Sequence, residues 1–169
     1  MTALESHPAL ALPLHGVHRI EASAGTGKTF TLALAHTRLV IERGLALAQI
    51  LAVTFTEAAT QELRSRLRRQ LLRAAELASD AAQREAATLS EDAATRLTAE
   101  LLQRRLAQES SESLVRRLQR AVAEVDLAAV FTIHGFCQRM LREYALATGE
   151  PLLPREMLSD ERALQVEVA

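Results

Sequence analysis

The sequence predicts an α/β protein that is mostly helical by residue count, with an incomplete parallel sheet and a large helical insertion. Three short apolar runs have the composition of strands, and each precedes a segment with helical periodicity: Val17–Ile20, Ile50–Phe55 and Ala128–Ile133. Strands that alternate with helices in this way build parallel sheets. Residues 80–126 contain neither glycine nor proline and have helical character throughout. Alanine and leucine dominate the apolar residues, which favours helix over sheet.

Composition and charge restrict the class of protein further. With 169 residues and a hydrophobic content of 49%, the chain is sufficient for one domain with a real core. The net charge of −1 predicts no polyanion partner for the chain as a whole, although its arginines are unevenly distributed. Its one cysteine, Cys137, cannot form an internal disulfide and fits a reducing compartment. Because the sequence has neither a membrane-spanning run nor a signal-peptide pattern, we expect a cytoplasmic protein without membrane contact.

The most informative stretch leads from the first predicted strand into the first predicted helix. An apolar segment, a glycine-rich turn and a helix follow one another, which is the layout of a phosphate-binding loop. Its glycines let backbone N–H groups converge on a phosphate, and the helix directs its positive dipole end there. The predicted cofactor-binding residues are Ala22, Ser23, Ala24, Gly25, Thr26, Gly27, Lys28 and Thr29.

Two residues of this loop carry the expected chemistry. Lys28 is predicted to contact the β- and γ-phosphates of a nucleotide, and the Thr29 hydroxyl is predicted to bind Mg²⁺. Lys28 is the only lysine in a chain that otherwise uses arginine, which favours a specific need for a compact ammonium group.

Capping signals predict where the main helices begin and end. The first helix is expected over Gly27–Arg43, with Gly44 as its C-cap. A second helix is expected after Thr56 as N-cap, with Glu57 in its first turn. It carries a leucine stripe that we expect to be buried: Leu63, Leu67 and Leu71. Its arginines are interpreted as a solvated face in preference to nucleic-acid contacts: Arg64, Arg66, Arg68, Arg69 and Arg73.

The two flanks of the chain and the insertion yield coarser expectations. Residues 1–16 are predicted to be an extended lead-in, whose alternating Leu10, Leu12 and Leu14 lie on the core or on a nucleotide base; a partly ordered tail is the alternative. The insertion is predicted to form two or three helices with a break at 110–113. Near the C-terminus, Phe136, Met140 and Tyr144 recur at a spacing of four on a further helix and are interpreted as core packing.

Threonines stand where two of the predicted strands meet helices. The first corner is Val53–Glu57 and the second is Val130–Gly135. Hydroxyl groups, a histidine ring and helix N-terminal amides at such corners are suited to hold a nucleic-acid backbone.

With these corners and its loop, the sequence resembles the UvrD-like superfamily 1 DNA helicases. Ala22–Thr29 is similar to their AxxGxGKT loop, Thr54–Ala59 to their TFTxxAA motif, and Thr132–Phe136 to their next motif, T-x-H-G-F. The likeness is greater to the RecB-type branch of that family, which also has a long helical insert between the second and third motifs. It covers most of the chain from about residue 12 to 144.

The resemblance implies a P-loop NTPase (RecA-like) fold and a 3′→5′ DNA helicase that uses ATP and Mg²⁺. In this branch the helicase is a subunit that works with RecC- and RecD-type subunits on double-strand DNA ends, as a helicase–exonuclease in recombinational repair. The resemblance makes Lys28 and Thr29 the catalytic residues, with Mg²⁺ on Thr29. It places four residues along the path of single-stranded DNA: Thr54, Thr56, Thr132 and His134.

The same resemblance implies a domain division and an incomplete enzyme. Residues 1–79 would begin the RecA-like ATP-binding domain, 80–126 would be a helical insertion, 127–148 would return to the core, and 149–169 would begin a second inserted subdomain. No strand ends in the Asp-Glu pair of the second Mg²⁺-binding motif, and Val125–Asp126 is a poor substitute because its surroundings are helical. The second RecA-like domain and the nuclease domain are missing too. We therefore expect a truncated N-terminal segment that binds nucleotide weakly and does not turn it over alone.

Two alternatives of other classes remain. A P-loop kinase for a small molecule would need arginines on a mobile lid, for which the candidates are Arg104, Arg105, Arg116 and Arg117. The paired threonine corners argue against it, because a kinase does not need them. A non-catalytic helical interaction module with an idle loop is the other alternative, and the position of the sole lysine argues against that.

Overall fold

Helices dominate the part of the chain that the structure describes. A computed structural model describes residues 8–21 and 27–145. The helices in these ranges are α1 (Pro8–Ala11), α2 (Lys28–Arg43), α3 (Glu57–Ser79), α4 (Ala81–Thr88), α5 (Ala93–Leu106), α6 (Ser111–Ala123) and α7 (Ile133–Glu143). The strands in these ranges are β1 (Ala52–Thr54) and β2 (Val130–Thr132), and each follows a short 3₁₀ turn. The predicted fold class, mostly helical with a small parallel sheet, is confirmed.

The sheet is smaller and more open than the sequence predicts. β1 and β2 pair in parallel, with Thr54 opposite Thr132, so two of the predicted strands form in shortened versions. Val130 is buried, whereas Val53 on the opposite face of the sheet is 43% exposed. α3 packs against both strands.

The first predicted strand, Val17–Ile20, does not form. These residues have no regular structure, and Val17 is fully exposed. The His18 ring lies 2.6 Å from the His15 carbonyl oxygen in a local turn. A strand is stable only when a neighbour pairs with its backbone, and none of the described strands pairs with this segment.

The lead-in is partly helical, so the prediction of an extended segment is wrong at α1. Proline suits the first position of a helix because its missing N–H group would have no partner there. The predicted alternation of leucines is confirmed, since Leu10, Leu12 and Leu14 are half-buried and the residues between them are exposed. Leu10 packs beside the buried Leu34 of α2 and Leu97 of α5.

Both predicted boundaries of α2 are confirmed to within one residue. Gly27 precedes the helix and Gly44 follows it, both with left-handed backbone at φ 84° and 67°. An L-residue with a Cβ atom is strained in this conformation, which explains glycine at both positions. Between them, Val40 and Ile41 are fully buried.

α3 is the central helix of the larger compact unit, and its leucine stripe is buried as predicted. α6 and α2 pack along it, and α5 adds Leu102 to the same core. The insertion forms three helices, α4 to α6, with the predicted break at Ser110. Polar side chains cap their first turns: the hydroxyl or carboxylate oxygens of Asp80, Asp92 and Ser110 accept from backbone N–H groups at 2.9–3.3 Å.

α7 belongs to a second compact unit. None of its side chains is fully buried, and Tyr144 just beyond its end is 56% exposed. The interpretation of Phe136, Met140 and Tyr144 as core packing is therefore wrong, because Phe136 and Met140 are only half-buried. The expectations for residues 149–169 concern a segment outside the described residues.

Candidate functional site

The first turn of α2 presents polar groups to solvent. Gly27 and Lys28 are exposed, and Thr29 is half-buried. The helix begins with a 2.8 Å hydrogen bond from the Thr31 N–H to the Gly27 carbonyl. Loop positions Ala22–Thr26 lie outside the described residues, so three of the eight predicted loop residues can be located.

α2 differs from the long helices that follow it in how it starts. The N-caps of α3, α4, α5 and α6 each accept a hydrogen bond through a side-chain oxygen. The N-cap of α2 is Gly27, which makes no side-chain cap. Side-chain caps satisfy first-turn N–H groups that otherwise accept an anion as partner. A glycine at this position has no side chain with which to make such a cap.

The groups at this turn fit a phosphate chemically. The dipole of α2 is positive here, and Lys28 adds a full positive charge. A Cβ atom on Gly27 would come within 3.9 Å of the Phe30 Cβ, an ordinary contact, so the positive φ is what requires glycine. The Thr29 hydroxyl is an oxygen ligand of the kind that Mg²⁺ accepts. No group of three histidine, cysteine or acidic side chains among the described residues is arranged to hold a metal ion.

At the end of β1, three threonines form a hydrogen-bonded corner. The Thr54 and Thr60 hydroxyls are 2.6 Å apart, and each is within hydrogen-bonding distance of the Thr56 carbonyl, at 3.1 and 3.2 Å. Their two protons can serve two of these three contacts at a time. The Thr56 hydroxyl oxygen accepts from the Ala59 N–H at 3.1 Å, which confirms the predicted cap. This network fixes the turn through which the chain passes from strand to helix.

The second corner lies beside the first because the strands are neighbours. Thr132 is the register partner of Thr54 and is 8% exposed, so its side chain offers little surface. Thr56 is exposed and Thr54 half-buried. The structure thus brings together Thr54, Thr56 and Thr132 of the predicted nucleic-acid residues. His134 is exposed on α7, in the second compact unit.

Two residues of the first corner are absent from the predicted site. Thr60 is 4% exposed, and its hydroxyl contacts that of Thr54. The T-x-T-x-x-x-T spacing is a signal for it, because the last threonine lies one helical turn after the cap. Phe55 is 86% exposed between the two predicted threonines. An aromatic ring at a strand end with polar neighbours is a surface on which a nucleobase can stack.

Two arginines of α3 have contacts that the surface interpretation misses. Arg64 is half-buried, and its Nη2 donates to the Val130 carbonyl at 2.8 Å. Arg68 Nη2 lies 2.5 Å from Asp126 Oδ1, and this hydrogen bond lowers the pKa of Asp126. Asp126 belongs to the 3₁₀ turn Val125–Leu127 and not to a strand, as expected for a residue outside the second Mg²⁺-binding motif. The sequence alone gives a weak signal for these contacts, since Arg64 and Arg68 are each adjacent to a leucine of the buried stripe.

α2 also carries a buried histidine that belongs to neither corner. His36 is 6% exposed, and burial lowers the pKa of its imidazole, although backbone hydrogen bonds with Leu32 and Ile50 act in the opposite direction. Its Nε2 has no partner within the described residues. This ring is therefore a neutral core residue.

Comparison with known proteins identifies the family. The model of the UvrD/REP helicase N-terminal domain matches residues 4–168. The RecBCD enzyme subunit RecB of Escherichia coli K12 is 39% identical over 166 residues, which is 92% of this chain and 13% of that protein. The RecB subunit of Haemophilus influenzae is 36% identical over 167 residues, or 95% of this chain and 13% of the relative. The RecB subunit of Mycolicibacterium smegmatis is 41% identical over 128 residues, which is 76% of this chain and 10% of that protein.

The chain thus spans roughly an eighth of the length of these relatives. None of the described helices combines the length and apolar character that crossing a membrane requires. The family match extends over nearly the whole sequence and includes the α2 start and both threonine corners. The chain belongs to the UvrD/REP helicase N-terminal domain family.

Proposed function

We propose that this chain is the ATP-binding N-terminal segment of a RecB-type helicase subunit, which moves 3′→5′ on single-stranded DNA during double-strand-break repair. One observation carries the proposal: a glycine-started helix with the sole lysine precedes two threonine strand ends in parallel register. A phosphate site alone would fit many enzymes. The threonine pair at the ends of neighbouring strands adds a surface for a nucleic-acid backbone.

The nucleotide site in this proposal comprises residues 22–29. The backbone of the loop and the first turn of α2 bind the phosphates, and Lys28 neutralises charge on the β- and γ-phosphates. Thr29 holds Mg²⁺ through its hydroxyl. When bound, Mg²⁺ supplies positive charge that stabilises the transferred phosphoryl group.

The DNA site comprises the exposed part of the threonine corners. Thr56 and Thr54 bind the sugar–phosphate backbone, and Phe55 stacks with a base. Thr132 contributes from the neighbouring strand, with a smaller exposed surface. For His134 the same role rests on its motif alone.

The partners and the domain division follow from the family. The relatives are named as subunits of the RecBCD enzyme, and we extend RecC- and RecD-type partners, double-strand DNA ends and an associated exonuclease to the complete assembly. Residues 1–79 and 127–148 belong to the RecA-like ATP-binding domain, 80–126 to its insertion, and 149–169 to a further subdomain. The assembly works in the cytoplasm.

The test is ATP hydrolysis by the protein expressed from its complete coding sequence, with and without a single-stranded oligonucleotide. We expect DNA to stimulate hydrolysis, and Lys28→Ala to abolish it. Hydrolysis that DNA does not affect, together with phosphate transfer to small molecules, would overturn the proposal in favour of a kinase. Two of the four arginines proposed for a kinase lid, Arg105 and Arg117, both bind Glu109 at 2.6–2.9 Å, which weakens the kinase alternative.

A further inference from the structure

Two arginines of α3 reach a segment that lies far away in sequence. Arg64 bonds the carbonyl of Val130, 66 residues on, and Arg68 pairs with Asp126, 58 residues on. These two contacts tie the same short segment, the 3₁₀ turn and β2, to one face of α3. The segment follows directly on the helical insertion.

Neighbouring arginines on the same helix behave differently. Arg66 pairs with Glu62 at 2.8 Å and Arg73 with Glu76 at 3.3 Å, both within α3. Such pairs lie within one helix and connect it to nothing else. Exposure does not distinguish them from Arg68–Asp126, which is as exposed, but the separation along the sequence does. The contrast shows that charge on α3 serves two purposes, and that position on the helix decides which.

The Arg64 contact provides a hydrogen-bond donor for a backbone carbonyl at an edge of the sheet. The Ala52 N–H donates to the Ala129 carbonyl at 2.9 Å, so that carbonyl faces β1. Because successive carbonyls along a strand point to opposite sides, the Val130 carbonyl faces away from β1. Arg64 supplies the donor there.

Arg64 occupies this place at a cost. Its Nε is buried and has no hydrogen-bond partner within the described residues. A buried unsatisfied donor in a native protein needs a reason. The bond from its Nη2 to the Val130 carbonyl is such a reason. The arginine side chain is long enough to reach from the helix to the strand edge, and its planar guanidinium group holds the donor in a fixed direction.

We propose that Arg64 is a positioning residue for the DNA-binding corner, with the Arg68–Asp126 pair as its outer tether. Together they hold β2 so that Thr132 stands opposite Thr54. We call the contacts of Arg64 with Val130 and of Arg68 with Asp126 the clamp. The clamp rests on these contacts, whereas its role in DNA binding rests on the proposed function. A strand of three residues has few hydrogen bonds to fix its register, and a slip of one residue would exchange the faces of Phe131 and Thr132.

The test compares Arg64→Ala with Arg66→Ala in the protein expressed from its complete coding sequence. Both variants remove one arginine from α3, but only the first removes the contact with β2. We expect Arg64→Ala to weaken binding of single-stranded DNA by about 10-fold, a loss typical of one charged hydrogen bond. Arg66→Ala should change DNA binding less than about 2-fold. Neither variant should change Mg-ATP affinity, whereas a general loss of folding would change both.

Amide hydrogen exchange in residues 125–132 tests the clamp independently of DNA. Exchange there should accelerate in Arg64→Ala and stay unchanged in Arg66→Ala. Equal exchange and equal DNA affinity in the two variants would overturn the clamp. Faster exchange in Arg64→Ala with no DNA binding by the wild type would support the clamp and overturn the proposed function instead.

A charge swap covers the case in which Arg64→Ala does not fold. Arg68→Asp alone should accelerate exchange in 125–132, because it sets two acidic groups against each other. Adding Asp126→Arg should restore the wild-type rate, since the pair is then re-formed in reverse. Failure of the second substitution to restore any protection would contradict the tether.

Discussion

The two ends of α2 differ in what surrounds them, although each is flanked by a glycine with left-handed backbone. At the N-terminal end, Gly27 and Lys28 are exposed, and the N-cap residue, Gly27, has no side chain that could cap the helix. At the C-terminal end, Arg117 of α6 donates to the Ile41 carbonyl at 2.9 Å and binds Glu109 through two hydrogen bonds. We call the first the open end, because Gly27 and Lys28 are exposed there, and the second the fixed end, because Arg117 bonds to it.

The two ends of this helix can therefore serve different purposes, ligand binding at one and stability at the other. The open end has donors that an anion can satisfy, at the point where the dipole is positive. The fixed end has its carbonyl satisfied by a cation, which the negative end of the dipole favours. Since Arg117 lies on α6, the helical insertion anchors the helix whose other end is the proposed phosphate site. Five predictions probe this division.

The largest effect is expected at the open end. Lys28→Ala should weaken Mg-ATP binding by on the order of 100-fold, about 2.8 kcal/mol, because a charge in direct contact with phosphate is lost. The free energy of unfolding without nucleotide should change little, since Lys28 is exposed. Isothermal titration and urea unfolding measure the two quantities. Arg43→Ala, an exposed cation at the other end of α2, is the control and should leave nucleotide affinity unchanged.

The next effect is expected at the fixed end. Glu109→Gln should destabilise the fold by about 2 kcal/mol, because Arg105 and Arg117 lose the charge that they share in a mostly buried site. Mg-ATP affinity should stay within about 2-fold. Glu112→Gln is the matched control, since Glu112 is 80% exposed and 3.7 Å from Arg116. Equal stability of the two variants in urea would contradict the anchor.

The acid stability of the protein reports on the same carboxylate. Burial by itself would raise the pKa of Glu109, but hydrogen bonds from Arg117 and Arg105 more than offset this and lower it. The stabilisation is therefore fully present above the ordinary glutamate pKa and is lost as the pH falls through the lowered value. Stability curves of the wild type and Glu109→Gln should converge at acidic pH.

The two glycines offer a closer comparison, with a smaller effect. Gly27→Ala and Gly44→Ala should each destabilise by about 1 kcal/mol, because each places a Cβ atom on left-handed backbone. Space is not the cause: the nearest atoms would be 3.9 and 3.8 Å away. Only Gly27→Ala should also weaken Mg-ATP binding in a titration. A loss of affinity in both variants would show that the ends are not separate.

The smallest effect is expected from His36, in the middle of α2. Its folded pKa lies below the ordinary value of 6.5, so the unfolded chain binds a proton more readily than the folded one. Stability is then complete above about pH 6.5 and falls as the pH is lowered further. Urea unfolding between pH 7.5 and 5.5 should show this slope, and His36→Gln should reduce it.

Local signals in the sequence were sufficient for much of the fold. Gly44 and Thr56 mark the ends of helices because their chemistry acts on adjacent residues. The leucine stripe of α3 is predictable because a period near four places these side chains on one face. The register of β1 with β2 is not predictable in this way, because it depends on residues 78 positions apart.

Contacts between distant elements account for what the sequence did not predict. Arg64 and Arg66 are the same residue type two positions apart, yet Arg64 bonds to β2 and Arg66 bonds to Glu62 within α3. Val17–Ile20 has strand composition, but a strand also needs a neighbour, which composition does not supply. Thr60 belongs to the corner through a hydroxyl contact that only the turn at Thr56 creates.

The most direct test of the account uses the fact that Lys28 is the only lysine of the sequence. An amine-reactive reagent modifies its ε-amine, and mass spectrometry of the peptide that contains it gives the rate. We expect Mg-ATP to slow modification of Lys28 in a saturable way and to leave an added lysine-containing peptide, the internal reference, unaffected. An unchanged rate at Lys28 in millimolar Mg-ATP would contradict the assignment of the open end of α2 as the nucleotide site.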